Sequence, residues 1–87
     1  MLHSPANAAH NAALRRIAVL SWRVERTPEC DTRRIVTGME KLMASVHDAV
    51  DLGVNPDQVD TAFQYGIELA RRKAPPPRTS NKMRLRR

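Results

Sequence analysis

The chain has 87 residues, 41% of them hydrophobic, and a formal net charge of +6, which is enough for one small domain and excludes a second independent core. Its longest unbroken apolar run, residues 17–20, is far shorter than the ~20 residues that a membrane-spanning helix needs. One cysteine excludes an internal disulfide, and the first residues lack the features of a secretory signal. We therefore expect a soluble, cytoplasmic protein.

The first predicted helix covers residues 5–26. Ser4 is expected to cap it and Pro5 to occupy its first position, where the missing N–H has no cost. Small and apolar residues recur three and four positions apart along one face, as in an amphipathic helix. These residues are Ala6, His10, Ala13, Ile17, Leu20 and Val24. Thr27-Pro28 should end the helix, because the residue before a proline is pushed out of the helical conformation.

The second predicted helix covers residues 28–52, with a start at either Pro28 or Asp31. Apolar side chains repeat in steps of three and four residues, and a second apolar row is spaced by seven. The first row is Val36, Met39, Met43, Val46 and Val50, and the second is Ile35, Leu42 and Ala49. So wide a stripe predicts the central helix of the fold, which would contact two helices or one helix and a second subunit. Gly53 should end it in a left-handed conformation.

The third predicted helix covers residues 55–73. Asn55-Pro56-Asp57-Gln58 combines a capping residue with a proline at the first helical position, a typical helix start. Gly66 lies on the apolar face, which indicates close approach to another helix. Three prolines from Pro75 onward end the helix and impose an extended spacer. The sequence thus predicts an all-α fold, with a three-helix domain over residues 1–73 and a basic tail over residues 74–87 that is disordered when free.

Positive charge is concentrated in the C-terminal segment. Residues 1–70 hold seven basic and nine acidic side chains, a net charge of −2, whereas residues 71–87 hold eight basic side chains and no acid. The eight are Arg71, Arg72, Lys73, Arg78, Lys82, Arg84, Arg86 and Arg87. Such an arm suits the phosphate backbone of DNA or RNA. An acidic groove on a protein, or a purely solubilising role, is the alternative.

A stretch of about 20 residues around the turn between the second and third predicted helices resembles the helix-turn-helix motif of DNA-binding proteins. The resemblance rests on a small residue, a turn glycine and two apolar residues, namely Ala49, Gly53, Val54 and Val59. It implies that the third helix would read bases in the major groove. Asp48 departs from the apolar residue usual in the motif, and Asp57 and Asp60 would repel phosphate. A capped corner between two helices without DNA contact explains the same pattern.

A third candidate site lies on the outer face of the first helix. Arg15, Trp22, Arg23 and Arg26 cluster there in helical projection, with Arg16 at one margin. Tryptophan among arginines is typical of contact residues in protein interfaces. The alternative interpretation, which we favour, is that Trp22 covers the edge of the core while the arginine stems lie over it.

Catalysis finds little support in the sequence. Cys30 is flanked by two acidic residues, which disfavour its thiolate, and no histidine is close in sequence. His47, Asp48 and Asp51 could form part of a proton-transfer or metal site, but a fourth ligand is missing and a solvated helix face explains them better. We expect no enzyme activity, no cofactor and no metal.

Two functions remain. The first is a small non-enzymatic accessory or regulatory protein that binds the backbone of DNA or RNA through residues 71–87. The second is a protein-binding module, such as a small phage or plasmid inhibitor of a host protein complex. The core of so short a chain is thin, which also predicts a possible homodimer through the second helix.

Overall fold

The computed structural model describes residues 5–77 and contains three α-helices joined by short turns. Helix α1 is Pro5–Arg26, α2 is Thr32–Asp51 and α3 is Pro56–Arg71. No strand occurs between residues 5 and 77, so the predicted all-α class is confirmed. The predicted cap at Ser4 and the segment 78–87 lie outside the described residues.

The central helix is α1, which packs along both α2 and α3, whereas α2 and α3 contact each other only sparsely. The prediction that α2 is central is therefore wrong. Small residues explain the difference, because Ala18 and Ser21 are buried on α1 and face Gly66 of α3. A Cβ atom at Gly66 would collide with the carbonyl oxygen of Ala18 and with Oγ of Ser21. Without that Cβ, α3 lies close against α1 on the side that α2 leaves free.

The core is small and lies mainly where α2 and α3 meet α1. Buried apolar side chains come from all three helices and from the second turn, and they are Ile17, Leu20, Leu42, Ala49, Val54 and Val59. Ala13, Leu14, Val46, Ala62 and Phe63 pack around them. The apolar row of α2 that reaches the core is the one spaced by seven residues, since Leu42 and Ala49 are buried. The other row is largely exposed.

The helix ends follow local capping chemistry. Asp31 caps α2 by accepting a hydrogen bond from the backbone N–H of Arg34 (3.3 Å), so α2 begins at Thr32, four residues after Pro28. Asn55 caps α3 by accepting from the N–H of Asp57 (2.7 Å), as its sequence predicts. Gly53 ends α2 with a φ of 89°, the left-handed conformation that glycine adopts most easily.

Candidate functional site

The described part of the C-terminal basic segment is partly engaged with the protein's own acids. Nε of Arg71 lies 3.2 Å from Oε2 of Glu25 on α1, and Arg72 lies 3.5 Å from Glu68 one turn earlier. These pairs are solvent-exposed and contribute little free energy, so a competing phosphate can replace them. Residues 71–73 therefore remain available as cations. The predicted contacts of Arg78, Lys82, Arg84, Arg86 and Arg87 lie outside the described residues.

Trp22 connects α1 to the start of the tail. Its indole N–H donates a hydrogen bond to the backbone oxygen of Ala74 (3.0 Å), and the guanidinium of Arg26 lies 5.5 Å from the centre of its ring. The half-buried Trp22 thus covers the edge of α1 with an arginine over it, which agrees with the interpretation favoured from the sequence. The bond also holds Ala74 against α1, so the proline segment does not leave the domain at once, as a simple spacer would.

The other arginines of the predicted α1 cluster line a groove between α1 and α2. We call it the α1–α2 groove, and Leu20, Ala44 and Ser45 are among its lining residues. Arginine and lysine side chains border it from both helices: Arg15, Arg16 and Arg23 from α1, and Arg33, Arg34 and Lys41 from α2. The groove consists of two neighbouring pockets, and Leu20, Arg23 and Lys41 line both of them. Each row of cations spans roughly 12 Å at the ~1.5 Å rise per residue of a helix.

Most of the basic side chains of the domain are concentrated along the groove. Residues 1–70 contain seven basic and nine acidic side chains. Six of those seven basic side chains line the groove, while Asp48 is the one acid among its lining residues. Asp31 lies near one end, where it forms an ion pair with Arg34 (3.4 Å). A domain with almost no net charge therefore presents one strongly positive face.

Sequence reasoning placed Arg15 and Arg23 in a candidate site but missed Arg33, Arg34 and Lys41. A signal was present in the sequence. The same pattern of basic residues occurs twice: a pair of arginines, and then a third basic residue eight positions after the first arginine. The first occurrence is Arg15-Arg16 with Arg23, and the second is Arg33-Arg34 with Lys41. The same spacing on two neighbouring helices lines both walls of one groove. That consequence could be drawn only once α1 and α2 were known to pack side by side.

The residues that resemble a helix-turn-helix serve the core. Ala49, Val54 and Val59 are buried around the turn between α2 and α3. The solvent face of α3 carries the exposed Asp57 and Asp60, whose carboxylates would repel phosphate. This geometry fits the capped corner, and the positive surface of the described domain lies between α1 and α2 instead.

The residues considered for catalysis are not assembled into a site. Cys30 is exposed, as are His47, Asp48 and Asp51. Between residues 5 and 77 no three His, Cys, Asp or Glu side chains are grouped closely enough to hold a metal ion. His10 instead has a structural contact, because its Nε2 atom lies 2.9 Å from the backbone oxygen of Leu52.

The described helices include none that is both long and apolar enough to cross a membrane. Comparison with protein-family models, curated proteins and solved structures finds no significant match to this chain. The surface features that suggest a function are the α1–α2 groove, the C-terminal cations and the exposed row of α2.

Proposed function

We propose that this chain is a non-enzymatic accessory protein of the cytoplasm that binds the phosphate backbone of DNA or RNA. The observation that carries the proposal is the α1–α2 groove, where six cations face a single acid. Five of the six are arginines, whose planar guanidinium groups donate several hydrogen bonds to a phosphate. Contacts of this kind grip the backbone without reading bases, so binding is largely independent of sequence.

The C-terminal cations extend the same surface. Trp22 holds Ala74 against α1, and Trp22 precedes Arg23, which lines the groove, so the tail begins beside the helix that forms one wall of the groove. The five cations of residues 78–87 and the groove can thus contact one polyanion. In this proposal the groove and the tail bind the phosphate backbone together.

The test is binding to labelled duplex DNA, single-stranded DNA and RNA as salt concentration is varied. A groove variant combines Arg16→Gln, Arg23→Gln and Lys41→Gln, and it removes three positive charges from residues that take no part in the exposed row of α2. We expect its affinity to fall about tenfold or more, and the slope of log K against log salt to become less steep by roughly 2.7, at about 0.9 for each lost phosphate contact.

A matched control changes the net charge equally but away from the groove. Gln58→Glu, Thr61→Glu and Gln64→Glu add three negative charges to the exposed face of α3. This variant should keep the salt slope of the unaltered chain. The proposal fails if the unaltered chain shows no salt-dependent binding, or if the control loses as much slope as the groove variant.

A protein-binding module is the second candidate function, favoured by the exposed apolar row of α2. Val36, Met39, Met43 and Val50 are between 43% and 54% exposed, and methionine-rich surfaces adapt well to protein partners. An inhibitor of a larger protein complex, of the kind that phages and plasmids encode, would use such a surface. Absence of nucleic-acid binding, together with stoichiometric capture of one protein partner by the row, would favour this function.

A further inference from the structure

The exposed row of α2 has the spacing of a coiled-coil seam. Val36, Met39, Met43, Val46 and Val50 follow one another at three and four residues over two heptads, which keeps them on one stripe of the helix. Val46 is half-buried and packs beside the core, and the other four are exposed to about half of their full area. Five apolar side chains of α2 form this stripe, and neither α1 nor α3 covers its four exposed members.

We infer that a second copy of this chain covers the row, with the two α2 helices antiparallel and Met43 at the twofold axis. The row is then self-complementary, as a twofold interface requires. Val36 meets the partner's Val50, Met39 meets the partner's Val46, and Met43 meets the partner's Met43. The flexible methionines at and next to the centre can fill the space between two helices that differ in direction.

Charges along one flank of the row favour the antiparallel direction. Arg33 and Asp51 are 18 residues apart, which is five helical turns, so they share a side of α2 at opposite ends, roughly 27 Å from each other. They cannot pair within one chain. Antiparallel helices bring Arg33 beside the partner's Asp51 at both ends of the seam.

The same flank gives a second complementary pair nearer the centre. Glu40 and His47 are exposed and lie two turns apart on it, so Glu40 comes beside the partner's His47. A parallel arrangement would instead place the two Asp51 carboxylates at one end and the two Arg33 side chains at the other. Like charges at equal heights disfavour that arrangement.

The first test is the mass of the full chain in solution without nucleic acid, measured by sedimentation over a wide concentration range. We expect a concentration-dependent shift from 9.8 kDa to twice that mass. Met43→Glu places two carboxylates at the twofold axis and should weaken the dimer at least tenfold. Tyr65→Glu changes an equally exposed side chain on α3 and should leave the dimer intact.

The second test is the direction of the helices, read with a short bismaleimide cross-linker in a Cys30→Ser background. Met43→Cys should give cross-linked dimers, and Val36→Cys should not, whereas Val36→Cys combined with Val50→Cys should. Efficient cross-linking of Val36→Cys alone would overturn the antiparallel arrangement.

A chain that stays monomeric at high micromolar concentration, or a Met43→Glu variant that dimerises like the unaltered chain, would overturn the interface. Neither measurement depends on nucleic-acid binding, so the proposed function can fail while the dimer stands.

Discussion

Lys73 occupies the position after α3 that Gly53 occupies after α2. After each helix, two consecutive backbone N–H groups donate hydrogen bonds to carbonyl oxygens of the last helical turn. After α2, Gly53 donates to Val50 and Val54 donates to Ala49. After α3, Lys73 donates to Ala70 and Ala74 donates to Leu69. This is the Schellman arrangement, which needs a left-handed residue. Lys73 adopts it with a φ of 60°, although a side chain makes that conformation costly.

Replacing Lys73 with glycine should therefore stabilise the domain. We expect the free energy of unfolding to rise by about 0.5–1 kcal/mol, because glycine removes the clash of Cβ in the left-handed conformation. Urea unfolding followed by circular dichroism measures the change. Arg72→Gly is the control, since Arg72 has a φ of −82° and glycine there should lower stability. Equal effects of the two substitutions would contradict the assignment of strain to Lys73.

At the scale of the helices, the sequence predicts where each helix begins and ends, but it does not predict which helices pack against each other. The start of α3 at Pro56 and the left-handed Gly53 follow from capping chemistry, which involves only a few adjacent residues. The apolar rows of α2 are a different case, because both have helical periodicity and the pattern does not say which one faces α1. That choice depends on the close contact of α3 with Ala18 and Ser21, which are distant in sequence.

Gly66→Ala tests whether this close contact decides the arrangement. The added Cβ would meet the backbone oxygen of Ala18 and the Oγ of Ser21, and a backbone atom cannot move aside as a side chain can. We expect a net loss of about 2 kcal/mol in unfolding free energy, despite the better helix propensity of alanine.

Gln64→Ala, on the exposed face of the same helix, should change stability by no more than about 0.5 kcal/mol. Ser21 adds to the contact that Gly66 allows, since its hydroxyl lies 3.0 Å from the carbonyl oxygen of Phe63 on α3. If Gly66→Ala unfolds at the same urea concentration as the unaltered chain, α3 does not approach α1 as closely as described.

At the scale of the whole molecule, the distribution of charge matters more than its sum. Counting along the chain indicates a nearly neutral domain with a basic tail, because residues 1–70 have a net charge of −2. Folding brings cations from α1 and α2, 18 positions apart in sequence, to the two walls of one groove. The net charge summed over consecutive residues does not reveal this positive surface. From the sequence, the tail is therefore the only segment with a clear excess of cations for binding phosphate.

Removing the tail separates its part from that of the groove. A chain that ends after Pro77 keeps the hydrogen bond between Trp22 and Ala74 and loses the five cations of residues 78–87. If the tail and the groove hold one polyanion, the salt slope should become less steep by up to about 4.5, at 0.9 for each contact, and a measurable slope should remain.

The remaining slope belongs to the groove, and adding the three groove substitutions to the shortened chain should remove most of it. Circular dichroism of each chain should show unchanged helix content, because none of these changes touches a core residue. A shortened chain with no binding at all would assign the whole function to the tail. A shortened chain with an unchanged slope would assign it to the groove alone, since a cation that contacts phosphate must release a counterion and so contribute to the slope.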